Sequence, residues 1–86
     1  MDVERNKITG ARLRKLRNEA GLTQLEVATR LSKTQSFVSK VENAERELSL
    51  VESFLYAEAL DTTYRVLFEE VHEGLAEAGL DTIGSK

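Results

Sequence analysis

Residues 21–46 read GLTQLEVATRLSKTQSFVSKVENAER, and the fold turns on how they divide into helices. Thr23 and Glu26 have the spacing of a capping box, in which the hydroxyl serves the Glu26 amide and the carboxylate reaches back. Leu22 and Val27 flank it as a hydrophobic staple, and Gly21 offers a left-handed stop to whatever precedes. The apolar run Leu25, Ala28, Leu31 keeps helical spacing for about two turns and then ends. Thr34 supplies a new N-cap, leaving Ser32 and Lys33 as most of the turn. Beyond it Phe37, Val38 and Val41 make an apolar stripe that closes at Val41 or Glu42. The stretch therefore predicts two short helices almost back to back.

Working outward, Thr9 is placed to cap a preceding helix from about Gly10 to Ala20, with Ile8 and Leu13 as its staple and Leu13 and Leu16 facing inward. Downstream, SLVE at 49–52 is another capping box and predicts a helix to about Leu60 that buries Leu50, Val51, Phe54, Leu55 and Ala59. A fifth helix is predicted from Asp61 or Thr62 to about Ala78, stopped by Gly79, with Tyr64, Leu67, Phe68, Val71, Leu75 and Ala78 recurring every three or four residues. The closing DTIGSK is expected to fray. The expectation is a single all-α domain over 1–86, with a four-helix core at 9–60 and a C-terminal helix at 61–79.

Composition agrees. Proline and cysteine are absent and aromatic residues make up 6% of the chain, while Leu, Ala, Glu, Arg and Lys abound, a balance that favours helix over strand. Without cysteine there is no thiol nucleophile, zinc finger or redox motif. No apolar run approaches the roughly 18 residues of a membrane span, and MDVERNKITG lacks the apolar region of a secretory signal. A cytoplasmic protein with no membrane partner is expected. The net charge is −3, but residues 1–46 hold ten basic and six acidic side chains, whereas residues 47–86 hold two and nine. A basic half joined to an acidic half bears on partners more than the total does.

Two short helices across a three- or four-residue turn inside a small helical domain suggest a helix-turn-helix. From LRKLRNEAGLTQ through the stretch above to LSLVESFLYAEAL, about Ala11 to Leu60, the sequence resembles the Cro and phage-repressor-like (xenobiotic response element, XRE) family of DNA-binding proteins. The resemblance implies a compact five-helix, lambda-repressor-like fold with the helix-turn-helix at helices 2 and 3. It implies that the third helix, about 34–43, enters the major groove of duplex DNA with Gln35, Ser36, Ser39 and Lys40 toward the bases. Gln24, Thr23, Lys33, Thr34 and Arg46 are then the phosphate contacts, while Glu42 bonds within the fold. Arg12, Arg14, Lys15 and Arg17 surround the first helix, so that only some of them can point toward DNA. The chain departs from the family at Ser32 and Ala44, where glycine is usual, and at Lys33, where an apolar residue is common. Asn43 is therefore expected to take the left-handed cap in place of Ala44.

Relatives of this size bind palindromic operators as two-fold dimers, which points to a homodimer. Tyr64, Leu67, Phe68, Val71 and Leu75 are its candidate contacts, the other reading being that this stripe packs on the chain's own first and fourth helices. The expected function is that of a sequence-specific transcriptional regulator acting as a repressor. The reading held against it is an antitoxin-like or adaptor protein-interaction module with secondary DNA binding. No catalytic residue, cofactor, small-molecule ligand or metal is expected: His72 has no ligand partner at helical spacing, and Ser36 and Ser39 have no histidine or acid to activate them.

Overall fold

The computed structural model describes residues 2–84. They form α1 (Val3–Glu19), α2 (Gln24–Leu31), α3 (Gln35–Glu42), α4 (Leu50–Ala59) and α5 (Tyr64–Glu77). Each of the three caps expected in the middle of the chain is present. Thr23 and Ser49 make complete capping boxes with Glu26 and Glu52, and the Thr34 hydroxyl accepts the Phe37 N–H. Ser32 closes α2 in the left-handed region at φ 56°, as the missing glycine requires.

α1 starts seven residues before the expected Gly10, with Asp2 as its N-cap. Thr9 lies inside the helix and donates its hydroxyl to the Arg5 carbonyl one turn back. Gly10 is not a boundary but a contact point: an added Cβ would lie 2.4 Å from the Glu42 carbonyl oxygen and 2.8 Å from that of Val41. The glycine lets α1 press against the end of α3. Two other expectations give way. Ala44 itself takes the left-handed conformation at φ 64°, while Asn43 stays at φ −92°. α5 begins at Tyr64 with Thr63 as cap, because Asp61 at φ 59° forms the left-handed corner between α4 and α5. Of the closing DTIGSK, Leu80 just before it is buried and the Arg5 guanidinium donates to the Leu80 and Thr82 carbonyls, while Ser85 and Lys86 lie outside the described residues.

The core is built from Leu13, Leu22, Val27, Ala28, Val38, Val41, Tyr56, Ala57, Ala59, Leu60 and Leu67, with Leu16, Leu31, Phe37, Leu48 and Val71 packed around it. α2 and α3 pack on each other, α1 packs on α3 and α5, and α4 on α2 and α5. The expected inward face of α4 is corrected. Leu50, Val51, Phe54 and Leu55 are all exposed, at 63%, 64%, 46% and 52%; Ala59 is buried as expected, and the helix buries Tyr56 and Ala57 beside it. Leu25 of α2 is exposed as well. Among the described residues no helix is long and apolar enough to cross a membrane.

The acidic α5 is fastened to α1 by ions. Arg12 donates to Glu70 at 2.7 Å, Glu73 at 3.1 Å and Glu77 at 2.7 Å, and Lys15 reaches Glu70 and Glu19 at 3.1 Å each. The Arg12 and Lys15 bonds hold the Glu70 carboxyl below its ordinary range, and the same bonds raise Arg12 and Lys15.

Candidate nucleic-acid interface

The turn between α2 and α3 is fixed by the Lys33 N–H donating to the Ala28 carbonyl and by the left-handed Ser32. On α3, Val38 and Val41 are buried and Phe37 is half-buried. That pins the rotation of a helix only eight residues long. Gln35, Ser36 and Lys40 consequently stand exposed and Ser39 half-buried on the outer side. Lys40 enters no ion pair among the described residues, nor does Lys33 at the turn, whose ammonium instead lies 5.5 Å from the Phe37 ring centre.

Behind α3 sits a buried acid. The Glu42 carboxylate accepts Arg17 Nε at 2.6 Å, Arg17 Nη2 at 3.0 Å, Arg14 Nε at 3.2 Å and Gln24 Nε2 at 3.0 Å. Burial pushes its pKa up, but the hydrogen bonds from Arg17, Gln24 and Arg14 outweigh that and the net displacement is downward. Glu42 stays ionised and ties α1, α2 and α3 at one point. Gln24 is thereby held at the first turn of α2 by one end of its amide, leaving its carbonyl oxygen and second N–H uncommitted by that bond.

The Thr23 and Thr34 hydroxyl oxygens accept backbone N–H groups of the helices they cap. Their own protons remain available to donate to an acceptor lying across the helix ends. Arg46, in the loop after α3, lies with its guanidinium carbon 5.1 Å from the Phe37 ring centre and donates to Glu52 at 3.1 and 2.6 Å. Its remaining contact is to the Glu47 carbonyl.

Residues 13–67, well over half of the chain, match the profile of the family described as helix-turn-helix. The chain belongs to the helix-turn-helix family, of the Cro and phage-repressor (XRE) type. These are DNA-binding transcriptional regulators. This helix-turn-helix protein is 42% identical over 53 residues to the HTH-type transcriptional regulator PrpR of Mycobacterium tuberculosis, a match covering 62% of this chain but 11% of that one. Among solved structures it is 40% identical to the restriction-modification controller protein C.AhdI from Aeromonas hydrophila, with a TM-score of 0.67 over 72% of this chain and 94% of that one. An XRE-family like protein from Pseudomonas syringae pv. tomato is 37% identical, with a TM-score of 0.71 over 81% and 85% of the two chains.

The helix-turn-helix sets Thr23, Gln24, Lys33, Thr34, Gln35 and Ser36 around the starts of two adjacent helices, while Lys40 stands exposed in the last turn of α3. Of the basic residues of α1, Arg14 and Arg17 reach this group, meeting Gln24 at the Glu42 carboxylate. Arg12 and Lys15 are spent on α5. The partners of Glu42 escaped the sequence reading, although Arg14 and Arg17 stand three apart on one helix face, the spacing that lets both reach a single acid.

The candidate dimer residues are split. Leu67 is 5% exposed and belongs to the chain's own core, which is a correction, whereas Phe68 is 53% exposed and Tyr64, Val71 and Leu75 are half-buried. Phe54, Tyr64, Phe68 and His72 form a connected aromatic row over α4 and α5, with the Phe54 and Tyr64 centroids 4.5 Å apart edge to face. Leu50, Val51 and Leu55 of α4 and Val66 of α5 are exposed as well.

Proposed function

We propose that the protein binds duplex DNA sequence-specifically as a homodimer and represses transcription, with α3 in the major groove. The observation that carries this reading is the outer side of α3. Gln35, Ser36 and Lys40 are exposed there and Ser39 is accessible, on a helix whose opposite side is anchored by Val38 and Val41. Gln35 is suited to pair with adenine N6 and N7 and the serines with several bases, with Lys40 beside them neutralising phosphate. Thr23, Gln24, Lys33 and Thr34 lie where phosphates of the same groove would pass, and they set register rather than sequence. Each good base contact contributes about 1–3 kcal/mol of discrimination, so two or three per protomer make a weak monomer.

The exposed apolar surface of Leu50, Val51, Phe54, Leu55 and Phe68 supplies the second copy. Two recognition helices set about 34–36 Å apart then read a palindrome. Selection from random duplexes, followed by anisotropy titration, tests the reading. Enrichment of a palindrome is expected, Gln35→Ala is expected to relax the preference, and Lys40→Ala to weaken all duplexes alike. Binding that is absent or indifferent to salt would favour the protein-interaction module instead. Sedimentation separately tests the assembly. Leu55→Asp is expected to give monomers, and wild-type monomer at tens of micromolar would remove the dimer.

A further inference from the structure

We infer that Arg46 is a positioning residue for the recognition helix rather than a phosphate contact: seated on the Phe37 ring and clamped by Glu52, it fixes the first turn of α3 relative to α4. This rests on the DNA-binding reading above.

The guanidinium is already committed. Nη1 donates to Glu52 Oε1 at 3.1 Å and to the Glu47 carbonyl, and Nη2 donates to Glu52 Oε2 at 2.6 Å. A planar fork on a carboxylate in this two-point arrangement is the strong form of the pair. Moving it to a phosphate would break both bonds and bring the Glu52 carboxylate, unpaired, toward a polyanion.

What the pair joins matters more than its strength. Glu52 is the third residue of α4, and it also accepts the Ser49 N–H at 2.8 Å in the capping box, so its position is set by the helix end itself. Phe37 is the third residue of α3, and its N–H is held by Thr34. Gln35 and Ser36 occupy the two positions between. α3 packs on α1 and α2, and α4 on α2 and α5, while a crevice of about 30 Å³ lined by Lys33, Phe37, Glu52, Leu55 and Tyr56 runs between the first turn of α3 and α4. At this end Arg46 spans from the Phe37 ring on α3 to the Glu52 carboxylate on α4. Because Phe37 is only half-buried, the core does not fix its ring alone. The Arg46 guanidinium at 5.1 Å and the Lys33 ammonium at 5.5 Å complete its surroundings.

The test uses the full chain, a duplex enriched by selection, a scrambled duplex, and the variants Glu52→Gln, Arg46→Lys, Arg46→Gln and the double variant Arg46→Lys/Glu52→Gln. Glutamine at 52 still accepts the Ser49 N–H, so the cap survives while the clamp on Arg46 is weakened. Glu52→Gln and Arg46→Lys are each expected to lower affinity for the selected duplex roughly 2- to 30-fold. Affinity for the scrambled duplex and the salt slope should stay at wild-type values, and the double variant should be no worse than the weaker single. Amide resonances of Gln35–Lys40 are expected to move in Glu52→Gln while those of α5 stay, which reports positioning without DNA.

A phosphate contact predicts the reverse. Glu52→Gln would bind both duplexes as well as or better than wild type, and Arg46→Gln would lose affinity for both with a salt slope reduced by about one. Either result overturns the inference. Wild-type protein that binds no duplex overturns it together with the DNA-binding reading, whereas wild-type binding with Glu52→Gln unimpaired overturns it alone.

Discussion

Gly10→Ala puts two opposing effects on one methyl group. In a helix interior alanine is favoured over glycine by about 1 kcal/mol, and Gly10 lies well inside α1. Propensity alone therefore makes the substitution stabilising. Against it, the new Cβ would fall 2.4 Å from the Glu42 carbonyl oxygen, 2.8 Å from that of Val41 and 2.9 Å from the Glu42 carbonyl carbon. These are backbone atoms at the end of α3, so no flexible side chain can swing aside. Overpacking of a close-packed interior costs about 1–3 kcal/mol where side chains can adjust, and a site where a helix must move belongs at the upper end.

The net expectation is a loss of about 2 kcal/mol, equivalent to a fall of roughly 8–16 °C in melting temperature for a chain of this size. Urea unfolding followed by circular dichroism measures it directly. Gly74→Ala is the matched comparison, because its Cβ would meet Arg12 Nε at 2.7 Å and Ile8 Cγ2 at 2.9 Å, which are side-chain atoms. It is expected to cost less than Gly10→Ala. If Gly10→Ala were as stable as wild type, or more so, the close approach of α1 to α3 would be refuted as a constraint on the fold.

Tyr56 is fully buried and its hydroxyl has no hydrogen-bond partner among the described residues, while burial pushes its pKa above the ordinary range. Tyr56→Phe is expected to leave thermal stability unchanged or to raise it by about 1 kcal/mol, and a loss larger than that would show a hidden partner. Glu52 is held at about 2 against an ordinary 4.5, chiefly by the Arg46 hydrogen bonds and then by the Ser49 N–H. A depressed carboxylate pKa contributes stability that is complete above about pH 4.5 and is lost as pH falls toward 2. Urea midpoints stepped through that window are expected to fall with pH, less steeply in Glu52→Gln, and parallel curves would refute the assignment. Counterion release at Lys33 and Lys40 alone gives a log–log salt slope of about −2 per bound protomer, or −4 for a two-fold dimer. A slope near −8 would show that the paired arginines turn to phosphate.

The caps were the most legible part of the chain. Thr23, Thr34 and Ser49 each act on an amide three residues away, and an interaction that local is written in the sequence that makes it. The start of α1 was not legible because two capping residues compete. Thr9 loses to Asp2 once Gly10 is claimed by contact with α3, a fact about residues more than thirty positions away. On α4 the helical period is real, yet Leu50, Val51, Phe54 and Leu55 face outward. Periodicity marks an apolar face without saying what covers it. The outward position of Gln35, Ser36 and Lys40 followed from the Val38 and Val41 stripe, whereas the fate of Arg12 and Lys15 depended on where α5 came to rest.

That placement of α5 changes how the charge asymmetry of the chain is understood. The basic half gives Arg12 and Lys15 to Glu70, Glu73 and Glu77, and Arg14 and Arg17 to Glu42. Arg30 goes to Asp61 and Arg46 to Glu52. Most of the positive charge therefore assembles the fold. It fastens the C-terminal helix to α1 and locks α1 and α2, which set the angle of α3, onto Glu42. Two lysines remain beside the recognition helix, at its turn and on its outer side, without an ion partner among the described residues. So small a cationic footprint leaves a single protomer little sequence-independent affinity. In the proposed assembly the exposed apolar surface of α4 and α5 supplies what the charges do not, since burying it between two copies both doubles the DNA contacts and adds stability that rises with protein concentration.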